Sequence, residues 1–566
     1  MKQPTRIYAI KNVVPEVEGG KVPVKRVVGD ELVVSATVLR QGPVKVWLEY
    51  RRKGESEWQQ LPMKPVGKCR YTGSFVLQEV GRYEYTLRTC TQDGLELAYD
   101  RILDVVVDRK RALFAAWYEI FVRSQGHYPN RSGTFTDVVA RLDEIAAMGF
   151  DVLYLTPIHP IGKTNRKGRS NALRAQPSDP GSVYAIGDET GGHKAIHPDY
   201  GSLEDFHRLI EAARERGMEI ALDIALNCSP DHPYVEAHPG WFHRDEQGRI
   251  RFAENPPKKY EDVYPYNFFP DDLEAMWGEM RSIFAYWIEQ GVRIFRVDNP
   301  HTKPVEFWEW VIEDIQREYP DVIFLAEAFT VPHVMELLSR IGFTQSYTYF
   351  TWRNYKWEII DYFSHLTQEE PKEYFRGNLF TNTPDILPRI LQVGGRPAFK
   401  MRATLAGTLS SVFGIYNGFE LCESRALPGK EEYADSEKYE YKVWDWDRPG
   451  NIKAYIAKLN MIRRENPALQ TIQNLCFHET LDDNILCYSK STAGFENRII
   501  VVINLDPFHL HESMVRLDIS KLGLEEGRTF RVRDLITGSH WSWKSSQNYV
   551  KLDPFFEPAH ILRIED

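Results

Sequence analysis

From Ala112 to about Arg464 the chain repeats one unit: a short apolar run, a polar break, and an amphipathic helix. Strands joined through helices lie parallel in one sheet, because the crossover returns each strand to the same edge direction. Phe114-Ala-Ala-Trp-Tyr-Glu-Ile-Phe121 predicts the first strand. Thr134 opens a helix with Val138, Leu142, Ile145 and Met148 on one face, and Gly149 ends it. Further strands are predicted at 151–156, 220–225, 291–298, 322–327, 345–350, 378–382 and 412–416, with helices over 203–216, 271–290, 304–319 and 452–464. About eight such units in roughly 350 residues favour a closed (β/α)8 barrel over an open doubly wound sheet.

The flanks have a different period. Leu32–Val38, Val44–Tyr50, Tyr83–Leu87 and Ile102–Val107 alternate in the manner of half-buried strands, as do Ile485–Tyr488, Arg498–Ile503 and Phe530–Arg533 near the other end. The expected architecture is an α/β chain: an N-terminal β-sandwich over 1–108, a TIM barrel over 109–466, and a C-terminal β-sandwich over 467–566. Polar insertions at about 157–200 and 228–270 would form a subdomain on the barrel.

A chain of 566 residues exceeds one hydrophobic core, and a formal charge of −10 excludes a general nucleic-acid binder. The first residues lack the apolar stretch of a secretory leader, and no apolar run reaches the roughly 20 residues of a membrane span. Six scattered cysteines without a C-x-x-C pair read as reduced thiols and no metal site. These features predict a soluble cytoplasmic protein without a cofactor.

Gly291-Val-Arg-Ile-Phe-Arg-Val-Asp-Asn299 closes an apolar strand on a carboxylate, with Arg296 two residues earlier on the same face. Glu327 ends the next predicted strand in the same way. A lone acid at such a place is usually a solvated loop residue; two on consecutive barrel units, at the end where barrels keep their chemistry, are not explained by solvation. Asp223 and Asp385 fall at the same end of other units.

Leu222-Asp-Ile-Ala-Leu-Asn227, Phe295-Arg-Val-Asp298, Ala326-Glu-Ala328 and Asn382-Thr-Pro-Asp385 together resemble the four short motifs of the α-amylase superfamily, glycoside hydrolase family 13. The resemblance implies Asp298 as nucleophile, Glu327 as general acid/base, Asp385 as transition-state stabiliser and Arg296 as the cation that keeps the nucleophile ionised. Retaining transfer needs such a pair, one carboxylate to attack the anomeric carbon and one carboxyl to shuttle the proton. Two positions depart from the amylase pattern: Cys228 and Pro384 stand where amylases generally carry histidines.

Arg166-Lys-Gly-Arg-Ser-Asn171, Gly191-Gly-His-Lys-Ala-Ile-His-Pro198, Cys228-Ser-Pro-Asp-His-Pro233, Ala253-Glu-Asn-Pro-Pro-Lys-Lys-Tyr260 and Ser436-Glu-Lys-Tyr439 narrow the resemblance to the GlgE family of maltosyltransferases. That family moves maltosyl units from α-maltose 1-phosphate to an α-1,4-glucan. The implied donor site comprises Lys167, Asn227, Asn255, Lys258, Tyr260, Asp262, Asn299, Lys438 and Tyr439, with Asn255, Lys258, Tyr260, Lys438 and Tyr439 on the phosphate and Ser182 as a weaker candidate. Cationic and amide donors suit a phosphate leaving group. Asn227 stands where the family usually has Gln.

The aromatic stretch Tyr347–Trp357 divides between core packing and stacking faces for acceptor sugars, with Trp352 and Tyr355 expected at the surface. The family's helical insertion after the N-terminal sandwich is missing, since Tyr83–Val107 leads straight into the barrel. The homodimer built with that insertion is therefore left open. Two alternatives also stay open: a hydrolase or 4-α-glucanotransferase using the same acids, and a non-catalytic glucan-binding scaffold.

Overall fold

The computed structural model describes residues 8–39, 43–92, 94–255 and 258–565, with the side chains of Asn255 and Lys258 outside the description. Its centre is a barrel of eight parallel strands. These are β1 (Ala115–Ile120), β2 (Val152–Leu155), β3 (Glu219–Ile224), β4 (Ile294–Asp298), β5 (Ile323–Glu327), β6 (Gln345–Ser346), β7 (Asn378–Phe380) and β8 (Val412–Tyr416). Neighbours pair in chain order, β8 pairs β1, and a parallel bridge between Ser346 and Gly377 closes the gap between β6 and β7.

Five of the helices connecting them follow the predicted signals. Thr134 caps α1 (Phe135–Ala147) by accepting from the Asp137 N–H at 3.2 Å, while the Asp137 carboxylate accepts from the Thr134 N–H at 2.7 Å. Strand β6 is shorter than the 345–350 expected. The Thr348 hydroxyl accepts from the Phe350 N–H at 3.3 Å and starts a 3₁₀ turn over Tyr349–Trp352, so the backbone leaves the sheet.

Inward-facing side chains fill the barrel as a packed layer of Trp117, Tyr154, Ile294, Leu325, Tyr347 and Phe380. Gly414 on β8 makes room for it: a Cβ there would lie 2.5 Å from the Phe380 ring. With the interior closed by side chains, chemistry is confined to the strand ends above it.

The N-terminal region packs two sheets face to face, one of four strands and one of six, around Leu32, Val34, Leu48, Tyr85 and Val105. It is anchored to the barrel by buried polar contacts. Lys25 donates to the Ser339 and Phe343 carbonyls, and Arg376 pairs with Asp108. Strand 103–108 runs through one 3₁₀ turn, Lys110–Ala112, into β1, with no α-helix between.

The C-terminal strands form one continuous antiparallel sheet of eight that folds over on itself. Leu475–His478 pair with one neighbour and Glu479–Thr480 with another, so this strand passes from one layer to the other. Among the described residues, no helix is long and apolar enough to cross a membrane, and no group of three or more His, Cys, Asp and Glu is placed to hold a metal.

Candidate active site

Strands β4 and β5 pair in register, Asp298 opposite Glu327. Their backbones are therefore one strand spacing apart, about 4.8 Å, and both side chains leave the sheet at its C-terminal end. Arg296 Nη1 donates to Asp298 Oδ1 at 2.9 Å and to the two Asp223 oxygens at 3.1 and 3.2 Å. Its Nη2 lies 3.4 Å from Glu327 Oε1. One guanidinium thus bridges the two carboxyls expected to do the chemistry, and a third below them.

Asn299 adds a second bridge. Its backbone is left-handed, with φ 43° and ψ 53°, a conformation that Asn tolerates better than most residues. In that conformation its N–H donates to Glu327 Oε2 at 3.2 Å and its side-chain amide to Asp298 Oδ2 at 3.2 Å. Asp223 is held from beneath by the hydroxyls of Tyr154 at 2.6 Å and Tyr184 at 3.0 Å.

The surroundings act on the carboxyls of Glu327 and Asp223. Burial pushes the Glu327 carboxyl up to about 8, with the Asp298 charge adding and Arg296 opposing. Asp298 shares the Arg296 guanidinium with Asp223 but also takes the Asn299 amide. Burial also raises Asp223 to about 6 against the pull of Arg296. At neutral pH Glu327 is a proton donor and Asp223 is ionised, the division of labour that acid/base chemistry beside a carboxylate requires.

Above these groups opens a cavity of about 260 Å³, lined by Asn227, Tyr260, Asp262, Asp298, Asn299, Asp385, Lys438 and Tyr439 among others. Most of the expected donor residues therefore meet at one place. Lys438 is buried, and its ammonium donates to both Asp385 oxygens at 3.1 Å and sits 4.8 Å from the centre of the Tyr184 ring. Asp262 is 2 % exposed, and its Oδ2 has no hydrogen-bond partner among the described residues. Burial raises that carboxyl to about 6.

Ser182 also lines the cavity. Lys167 does not: it is buried and paired with Glu261, and its charge acts on Asp262. The Asn255 and Lys258 side chains lie outside the described residues. Cys228 is fully buried beneath the wall, a histidine's place in amylases taken by a packing residue.

Two histidines place the insertions. His193 Nε2 lies 2.9 Å from the Ala225 carbonyl, which only a protonated nitrogen can bond, so its Nδ1 accepts from His232 Nε2 at 3.2 Å. His232 Nδ1 then accepts from the Tyr234 N–H at 3.1 Å. Burial holds His193 down at about 4, so it stays neutral. The paired glycines Gly191-Gly192 allow this approach, for a Cβ on Gly192 would lie 2.0 Å from His232 Nε2. The Ala225 carbonyl also accepts from the Asn227 N–H at 2.8 Å, which ties both insertions to a cavity residue.

Reading the sequence missed Tyr154, Tyr184 and Lys303. The two tyrosines approach Asp223 from another strand and from an insertion, and no local pattern announces that. Lys303 is five residues after Asp298 in the same turn, which is a signal that spacing alone offered. Of the aromatic stretch, Tyr347 and Phe350 are core, Trp352 is half-buried with its indole N–H on Glu431 at 2.9 Å, and Tyr355 and Trp357 are exposed.

An eight-stranded barrel with carboxyls at these strand ends has the fold of the α-amylases. Residues 117–277 match the family model "Alpha amylase, catalytic domain". The fold is shared with a noncanonic maltogenic α-amylase of Thermotoga neapolitana (TM-score 0.63, 22% identity, 80% of this chain and 98% of the other). It is shared equally with an acarbose-complexed α-amylase of Geobacillus thermoleovorans (TM-score 0.62, 17% identity, 80% and 98%).

The flanking regions are more specific. Residues 6–93 match the model "Alpha-1,4-glucan:maltose-1-phosphate maltosyltransferase, domain N/S" and residues 477–564 the model "GLGE, C-terminal". Enzymes named α-1,4-glucan:maltose-1-phosphate maltosyltransferase from Rhodospirillum rubrum (44% identity, 98% of this chain and 94% of the relative) and Chlorobaculum tepidum (42%, 99% and 96%) align almost end to end. The chain belongs to the α-1,4-glucan:maltose-1-phosphate maltosyltransferase family. The Rhodospirillum alignment runs over 650 positions against a chain of 566 residues, so that relative carries internal residues this chain lacks.

Proposed function

We propose that this chain is a retaining transferase that moves a maltosyl unit from α-maltose 1-phosphate to the non-reducing end of an α-1,4-glucan and releases phosphate. The observation that carries the chemistry is the in-register pair Asp298 and Glu327, bridged by Arg296 and Asn299, with burial raising the Glu327 carboxyl to about 8. Family membership supports the donor and acceptor.

In the first half-reaction the Asp298 carboxylate attacks the anomeric carbon as the carbon–oxygen bond to phosphate breaks. The bonding pair leaves with phosphate, and Glu327 gives its proton to the departing oxygen. In the second half, Glu327 takes the proton of an acceptor hydroxyl. That oxygen bonds to the anomeric carbon, and the Asp298 carboxylate is restored. Asp385 and the unpartnered oxygen of Asp262 offer acceptors to sugar hydroxyls as charge develops on the ring, and Lys438 and Tyr439 line the phosphate side. Buried Asp223 is the anchor that aims Arg296.

Six free cysteines fit a reducing compartment, and we place the reaction in the cytoplasm. The test is α-maltose 1-phosphate with maltohexaose, followed by phosphate release and chain length. Elongation in maltosyl steps with equimolar phosphate is expected. Glucan hydrolysis without phosphate release would return the chain to the hydrolases of its class.

A further inference from the structure

Among the described residues, Lys303 is a cation of the cavity with no carboxylate within ion-pair distance. It follows the turn Pro300–Thr302, which the left-handed Asn299 starts by reversing the chain after β4. Lys303 therefore comes back over the site and lines the same cavity as Asp298, Asn299 and Lys438. Its side chain is buried, at 8 % exposure, and its ammonium donates to the Thr302 hydroxyl at 2.9 Å.

The other described cations at the site differ. Lys438 is spent on Asp385, Lys167 on Glu261, and Arg296 on three carboxyls. A buried ammonium held by one hydroxyl is costly to keep, and a site keeps it at a gain only when an anion arrives. Burial lowers it to about 8, while the charges of Asp298 and Glu327 pull it back up, so it is charged at neutral pH. Its turn is hydrogen-bonded to Glu327 through the Asn299 N–H, which places it on the side of the carboxyl that protonates the departing oxygen.

We propose that Lys303 binds the phosphate leaving group and makes the site selective for a phosphorylated donor over a glycosidic one. The inference rests on the transferase reading above. In the donor complex the phosphate oxygens accept charge-assisted bonds from the ammonium, and the negative charge that develops on the departing oxygen is met by a positive charge already in place.

The test compares two donors in Lys303→Met and Lys303→Arg. With α-maltose 1-phosphate and maltohexaose, the Met variant is expected to lose about 100-fold in kcat/KM, and inhibition by inorganic phosphate weakens in parallel. With α-maltosyl fluoride, whose leaving group is small and monoanionic, the Met variant stays within about threefold of wild type. Arg recovers part of the loss with the phosphate donor. An equal loss with both donors would make Lys303 a structural residue, and no loss with the phosphate donor would make it a bystander; either overturns the proposal. If the Met variant fails to fold, Lys303→Gln is measured in the same pair of assays. A wild type that releases no phosphate would instead overturn the transferase reading itself.

Discussion

On the floor of the cavity Arg296, Asp223, Asp298 and Glu327 are tied to one another, while neither carboxyl oxygen of buried Glu119 on β1 has a partner among the described residues. Arg296 reaches three carboxyls, Asn299 reaches two, and the Tyr154 and Tyr184 hydroxyls close the network on Asp223. The wall, built from insertions and the turn after β4, is left incomplete by comparison. Asp262 carries an unpartnered oxygen and Lys303 has only a neighbouring hydroxyl. The floor comes from adjacent strands of one sheet, where register sets spacing to within a fraction of an ångström. The wall comes from segments far apart in sequence, which a ligand completes. Rigidity where bonds are exchanged and unmet polar capacity where substrate is held are the two requirements of differential binding.

The largest effect should come from breaking the floor. Asp298→Asn is expected to lower kcat by about 10⁴-fold with any donor, read by phosphate release and by fluoride release. In single-turnover formation of the glycosyl-enzyme, Glu327→Gln should cost about 10³-fold with the phosphate donor and less with the fluoride, whose departure needs no proton. Equal losses would assign Glu327 to positioning.

Asn299 sharpens the comparison, since it belongs to the floor by its hydrogen bonds and to the wall by its place in the cavity. Asn299→Gly keeps the left-handed turn and the N–H to Glu327 but removes the amide on Asp298. About a tenfold fall in kcat with both donors is expected if it acts on the nucleophile. A loss confined to KM for the phosphate donor would move it to the wall.

Both limbs of the pH profile follow from the floor, and loss of the Lys303 charge near 8 adds to the alkaline one. Glu327 must be protonated to act as acid, so kcat/KM falls as pH rises through about 8. Asp223 must be ionised to anchor Arg296, so activity also falls as pH drops through about 6. A plateau between those limits is expected, and a profile that is flat from 6 to 9 would contradict the assignment of Glu327. Last, Asn227→Gln, a change on the wall, should alter KM by about threefold or less with kcat unchanged.

The strand–helix alternation located the eight strands and five of the helices of the barrel within a few residues, but not the helices at 332–340, 356–368 and 395–409; the 3.6-residue period of α1 and the apolar run of β4 are local properties of the chain. The exception among the strands is instructive. Gln345–Phe350 is apolar enough to extend as a strand, but the Thr348 hydroxyl bonds the next turn and only Gln345–Ser346 pair. In the C-terminal region the strands were legible and their layering was not. Nothing local tells that 475–480 divides its pairing between two neighbours.

Asp298, Glu327 and Arg296 were evident in the sequence because each belongs to a strand end, and a buried charge there has no bland explanation. What they touch was decided only in three dimensions. Lys167 looked like a donor ligand and is bonded to Glu261, while Lys303 went unnoticed and faces the cavity. A sequence states which charges a chain must accommodate. Which of them are neutralised within the fold, and which are left for a substrate, depends on distances of a few ångströms between segments that only the closed barrel and its insertions bring together.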